Sequence, residues 1–382
     1  MGFQLYERTR SPLALGLVGL VELIPVLLLA LPAGSAADRF PRRSIAMLAH
    51  GLLAACALAL LVLTLLEGPV AAYYAVLFVV GVAVAFRSPA VGAMLPQLVP
   101  AEDFANANAL VSSSQELASM AGPALAGLLI ALNGGSSTWA FGMVAASHLL
   151  FVGVLISLPS FPAVMAKNRA RKLSDYFAGL RFVLRVKVFL AAITLDLFAV
   201  LLGGAVALLP IFAKDILHAG PTGLGWLRAA PAIGALAMAL LQTRLSAWQR
   251  PGRVLLITVA GFGLATIGFG LSQSLWLSFV LLLITGIFDN VSVVIRATLE
   301  QALTPDVMRG RVSAIHYVFI GLSNELGSFE SGLTADLFGP VGSVVGGGLG
   351  TIAVVLFVAL KWPQLRSVAP LHTLRPLPVP AD

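Results

Sequence analysis

Residues 33-AGSAADRFPRRS-44 place one acid and three arginines between two long apolar runs. Only 11% of the 382 residues are charged, so such a concentration needs a reason. The flanking runs, about 12–34 and 45–66, are each long enough to cross a bilayer as helices. The stretch is then a short link between two membrane spans.

The rest of the chain extends that pattern. Hydrophobic residues make up 59% of it and mean hydropathy is +0.96, whereas soluble domains are roughly half apolar. Further apolar spans fall at about 70–95, 105–132, 138–158, 189–212, 222–243, 254–272, 275–302, 312–337 and 341–360. The fold expected is an all-α polytopic membrane protein with eleven helices. A β-barrel would read as short segments of alternating hydropathy, which this sequence lacks. The one cysteine, Cys56, lies inside a span, so neither an intrachain disulfide nor a cysteine-based metal site is expected. The five histidines show no metal-binding pair spacing, and no metal or cofactor is expected. A net charge of +7 in a soluble chain would suggest nucleic acid. Here it fits loops that face the cytoplasm, and no nucleic-acid partner is expected. The expected partners are the lipid bilayer, a small-molecule substrate and protons, with the protein a monomer.

Lysine and arginine placement sets the orientation. One side of the membrane receives Arg39, Arg42 and Arg43, the basic stretch from Lys167 to Lys187, Arg244, Arg250, Arg253, Arg309 and Arg311, and Lys361, Arg366 and Arg375 of the tail. The other side has Arg8, Arg10 and Lys214. The tail is therefore expected in the cytoplasm.

The two halves repeat. 11-SPLALG-16 matches 220-GPTGLG-225, 95-LPQLVP-100 matches 299-LEQALT-304, and 122-GPALAG-127 matches 327-GSFESG-332, at offsets between 204 and 209. Tandem helical halves about a central loop are a transporter architecture. The domains expected are an N-terminal bundle of five helices over 1–158, a basic amphipathic cytoplasmic connector over 159–187, a six-helix bundle over 188–360 and a disordered tail over 361–382. Shifting the span 189–212 back by 209 puts its counterpart before Met1. The repeat thus predicts a twelfth helix upstream, the alternative being a genuine eleven-helix chain.

The link resembles the signature loop of the major facilitator superfamily, Gly-x-Leu-Ala-Asp-Arg-x-Gly-Arg-Arg. Gly34, Asp38, Arg39, Arg42 and Arg43 fall in register, with Ala36 replacing Leu and Pro41 replacing Gly. The segments 86-FRSPAVGAMLPQLVPAEDFANANAL-110, 121-AGPALAG-127 and 309-RGRVSA-314 are similar to the enterobactin-exporter-like efflux branch of that superfamily. The resemblance implies two pseudo-symmetric bundles and a proton-driven exporter in a bacterial inner membrane. It implies no enzyme activity. It also implies that Gly34, Asp38, Arg39, Arg42 and Arg87 form a conformational latch. A blander reading makes Arg43 a topology anchor, and Arg42 as readily an anchor as part of the latch.

Ionisable side chains at membrane depth are costly and point to function. Glu116, Asp196 and Glu325 are the proton-coupling candidates, and Glu22, Gln115, Arg228, Asp289 and Asn324 the candidates for a substrate cavity. The alternative for each is a buried ion pair, for instance Arg228 with Asp289 or Asp196. Arg296 reads as a side chain snorkelling from a helix end. Gly122, Pro123 and Gly127 resemble the Gly-Pro motif of drug antiporters, with a plain structural kink the alternative. The glycines at 261, 263, 268, 270 and 346–348 read as helix-packing surfaces. Small amphipathic molecules such as drugs or a siderophore are the expected substrates. Uptake, lipid flipping and a transport-dead scaffold are the other readings.

Overall fold

The computed structural model describes residues 1–100, 103–158, 181–244, 248–305 and 308–374; the side chains of Asp38 and Glu116 lie outside that description. Every regular element among the described residues is helical. Ten helices among the described residues are long and apolar enough to cross a membrane, and the last of them covers 43 residues. That is twice what one crossing needs. It breaks at Gly339, whose φ of 78° and ψ of 160° no helix accommodates, and Pro340 follows. The two arms match the expected spans 312–337 and 341–360.

The chain forms two compact units. The first comprises Met1–Asn168 with His218–Trp226. It holds a short helix α1 (Gly2–Thr9) and the long helices α2 (Pro12–Arg39), α3 (Arg42–Leu65), α4 (Val70–Gly92), α5 (Phe104–Leu132) and α6 (Thr138–Ser157). Ser11 caps α2 by accepting from the Ala14 amide at 3.3 Å, and Pro12 supplies a preset first-turn φ. Inside α2, Pro25 packs on α4 where only a glycine fits: a Cβ on Gly81 would meet the Glu22 carbonyl and the Pro25 ring. Leu5, Leu60, Tyr73, Leu77 and Phe141 fill one end of this bundle, and Ala37, Ile45, Ala46, Ala90, Met94 and Leu155 the other. Arg8 ties α1 down through the Glu67 and Gly68 carbonyls, at 2.7 and 2.6 Å.

The second unit comprises Arg169–Leu217 and Leu227–Asp382. Its helices are α7 (Lys187–Leu202), most of α8 (Gly220–Gln242), α9 (Pro251–Leu271), α10 (Leu275–Leu303) and the broken α11 (Arg309–Lys361). One apolar cluster joins Leu195 and Ala199 of α7, Leu255 of α9, Ile295 and Leu299 of α10 and Val358 of α11. Gly263 of α9 and Gly348 of α11 face each other: a Cβ on Gly348 would come within 2.7 Å of the Gly263 carbonyl.

Three sequence expectations need correction. The link at 33–44 is mostly helix. The alanine-rich run carries α2 to Arg39, and only Phe40 and Pro41 form the turn. Pro41 causes the stop, forcing Phe40 extended at φ −109° and ψ 156°. The span 189–212 is not one helix. It ends at Leu202, and Gly203, Gly204 and Pro210 then interrupt it, leaving a 3₁₀ turn at Ala205–Leu208 and a π turn at Phe212–Ile216. Irregular backbone survives at membrane depth because it is enclosed by protein, and Leu208, Leu209 and Phe212 are fully buried. Lastly, the tail expected to be disordered over 361–382 is ordered where described. Leu365 has no exposed surface and seats its backbone carbonyl over Gly252. The connector expected at 159–187 is described only from residue 181, where Phe182 and Val183 are buried in the second unit's core.

Candidate functional site

The segment 289-DNVSVVIRATLE-300 of α10 spaces Asp289, Ser292, Arg296 and Glu300 three or four residues apart, which puts them along one helix face. Ser292, Arg296 and Glu300 are buried, with 2%, 7% and 7% of their surface exposed. An apolar bundle offers them no water, so each must find a polar partner. Asp196 of α7 supplies one: its Oδ1 lies 2.5 Å from Arg296 Nη1. The same Nη1 donates to Ser292 Oγ at 2.9 Å. One turn further along α10, Glu300 Oε2 pairs with Nδ1 of His316 from α11. Three helices thus contribute to one buried polar stripe, Asp196–Arg296 at one end and Glu300–His316 at the other.

Two cavities meet at Arg296. One, of about 20 Å³, is lined by Asp196, Phe262, Phe288, Asp289 and Ser292, and has room for a single water. The other, of about 210 Å³, is lined by Arg296, Glu300, Gln301 and His316. The arrangement can hold protons and exchange one charge partner for another. Neither cavity would enclose a drug-sized molecule, for which about 300 Å³ is a minimum.

Asp196 is the proton-coupling candidate that the stripe takes in. Its partner is Arg296, where the sequence reading offered Arg228 and assigned Arg296 to snorkelling. Arg296 fails to snorkel because its helix position faces Asp196 inside the bundle. Asp289 lines the small cavity, and Arg228 is exposed on α8. Glu325 is half-buried on α11, and Asn324 beside it is exposed, donating to the Ile320 carbonyl of its own helix at 2.9 Å. Glu300 is a functional candidate that the sequence analysis does not identify. The spacing Ser-x₃-Arg-x₃-Glu was the available signal, since three polar residues in register on an apolar helix require a polar counterpart.

In the first unit, Glu22 is half-buried on α2 and Gln115 is exposed on α5, which also carries Glu116. Gly34 lies within α2 with open space where a Cβ would stand. Arg39 is exposed. Arg42 Nη1 donates to the Ala93 carbonyl at 2.6 Å, and Arg43 Nη2 to the Ile156 carbonyl at 2.7 Å. Both arginines thereby cap helix C-termini, where unpaired carbonyls attract cations. Arg87 of α4 is half-buried, with its Nε out of reach of any hydrogen-bond partner. Pro123 sits inside an unbroken α5, and Gly122 has open space around it. Gly127 is a close-approach position: a Cβ there would come within 2.6 Å of the Pro221 carbonyl and 2.8 Å of Gly225 Cα.

The chain matches the family described as transmembrane secretion effector, of the major facilitator type, over residues 4–380, and it belongs to that family. It is accordingly a multi-pass membrane transporter rather than an enzyme. Among curated relatives it is 29% identical to the enterobactin exporter EntS of Shigella dysenteriae serotype 1 (strain Sd197) over 334 residues, which cover 87% of this chain and 79% of the relative. Among solved structures it shares its fold with a POT family transporter in complex with 5-aminolevulinic acid, at a TM-score of 0.74 and 12% identity, covering 96% of this chain and 92% of that one. It also shares it with a D-xylose–proton symporter, at a TM-score of 0.72 and 16% identity, covering 94% and 89%.

Proposed function

We propose that this transporter exports a small amphipathic molecule, of the drug or siderophore kind, across a bacterial inner membrane. Protons drive it by alternating access, and the C-terminus faces the cytoplasm. The observation that supports proton coupling best is the buried stripe Asp196–Arg296–Ser292 with Glu300–His316. A proton on Asp196 would cancel the charge that holds Arg296. Arg296 could then turn toward Glu300 in the larger cavity, converting proton binding into movement of α10 against α7. The relative named as an enterobactin exporter supports the direction of transport, and the proton symporter of like fold supports the energy source.

In the same reading Glu116 and Glu325 are further proton carriers. Glu22, Gln115, Arg228, Asp289 and Asn324 meet the substrate. Gly34, Asp38, Arg39, Arg42 and Arg87 act as the latch, and the protein works as a monomer in the lipid bilayer. The test is accumulation of two probes, enterobactin and ethidium, in an efflux-deficient bacterial host. Expression should lower accumulation, a protonophore should restore it, and Asp196→Asn should abolish the gradient-driven part while the protein still reaches the membrane. Accumulation of both probes unchanged by well-expressed protein would overturn export.

A further inference from the structure

The first unit contains a titratable pair outside the stripe and the latch. His50 of α3 and His148 of α6 bring their Nδ1 atoms to 3.0 Å, with ring centroids 5.1 Å apart. His50 has 7% of its surface exposed, and the Phe151 ring packs against it at a tilt of 41°, with ring centroids 4.3 Å apart. The Arg87 guanidinium of α4 acts electrostatically on both rings and, as a cation, opposes positive charge on either. We propose that His50 and His148 form a binding site for one proton in the N-terminal unit, and that this proton is carried in the transport cycle.

The capacity follows from the geometry. At 3.0 Å, one Nδ1 must carry a hydrogen and the other must accept it. In the neutral pair the donor ring therefore has a bare Nε2, and the acceptor ring carries its hydrogen on Nε2. An incoming proton takes the bare Nε2 lone pair. The result is an imidazolium that still donates Nδ1–H to the neutral ring, so the hydrogen bond persists and strengthens. A second proton would need the acceptor's Nδ1 lone pair, which the hydrogen bond occupies. Adding it would break that bond and set two cations side by side, facing a third on Arg87. One proton binds and leaves without rearranging the helices; two cannot bind while α3 and α6 remain packed as they are. A purely structural contact between two helices would not need ionisable rings, because an amide makes the same hydrogen bond.

The role in transport rests on the proton-coupled reading; the binding of the proton does not. Full-length protein labelled with ¹⁵N-histidine, reconstituted in lipid nanodiscs, is followed by NMR from about pH 5 to pH 9. Wild type should show both rings changing in one shared step as a single proton is added. In His50→Gln the amide keeps a hydrogen bond to His148, so the fold stays intact, and His148 should titrate alone. Two independent one-proton titrations in the wild type, or none, would overturn the site. Gradient-driven ethidium efflux should fall to the vector-only level in both His50→Gln and His148→Gln, while ethidium exchange without a gradient persists. Wild-type efflux in those variants would overturn the carrier role. If the wild type moves neither ethidium nor enterobactin, the export reading fails, and the NMR result still decides the proton site.

Discussion

Each unit takes polar groups into an apolar bundle, and each handles them differently. The C-terminal unit pairs opposite charges, Asp196 with Arg296, and places Glu300 with His316 beside them. The N-terminal unit pairs two like, neutral-capable rings, His50 with His148. The first arrangement is held by full charges whose desolvation must be offset by their attraction, so losing either partner leaves an uncompensated charge. The second is held by one hydrogen bond, so losing a partner leaves one unsatisfied nitrogen. The same fold thus contains one polar crossing that is costly to break and one that is inexpensive to break. A proton can enter the inexpensive one without separating its helices.

The largest effect should come from Arg296→Met, which strands Asp196. A loss of about 3–5 kcal/mol is expected in denaturant unfolding of the purified protein. Adding Asp196→Leu to that variant should recover most of the loss, since an apolar pair of similar volume replaces an ion pair at little cost. Failure of the second change to rescue would mean that the stripe, not the pair, is the unit of stability. Next comes Gly286→Val. A Cβ at Gly286 would run into the Pro231 carbonyl of α8, and overpacking of this kind costs roughly 1–3 kcal/mol or more. Because α10 would have to move, the distance between Asp196 and Arg296, measured by a pair of spin labels on α7 and α10, should change as well.

A comparable loss is expected from His148→Leu, about 1–3 kcal/mol for the orphaned nitrogen of His50, clearly below that of Arg296→Met. Equal losses in the two variants would erase the contrast between the units. The smallest effect belongs to Arg42→Ala. Removing its contact with the Ala93 carbonyl should cost only about 0.3–1 kcal/mol, as for other cations at helix C-termini. A transport defect out of proportion to that small loss would support the latch over the anchor.

The legible and illegible parts of this molecule divide by range. Apolar runs of bilayer length located every long helix, because the spacing between breaks such as Phe40–Pro41 and Gly339–Pro340 is a local property. The glycines at 263 and 348 read as packing surfaces for the same reason: small residues in an apolar helix have little other use. The π turn at Phe212–Ile216 was not legible, because enclosure by the rest of the unit is what lets the chain leave the helix there. Nor was the burial of Leu365, which depends on a gap above Gly252. Asp196 was recognisable from its cost at membrane depth, but its partner was not. Arg228 and Arg296 carry the same charge inside apolar spans, and the facing of α7 and α10 selects Arg296.

By itself the sequence determined the class: an all-α polytopic chain of repeated halves, bearing the signature of a transporter family. The helical membrane class follows from hydropathy and spacing, which act within a helix or along the membrane normal, and the family signature from resemblance of residues 34–43 to a known motif. The tertiary structure decided which polar groups meet. Ion pairs and shared protons need atoms from separate helices within hydrogen-bond distance. Nothing in the order of residues brings Asp196 to Arg296, or His50 to His148, until the helices have packed.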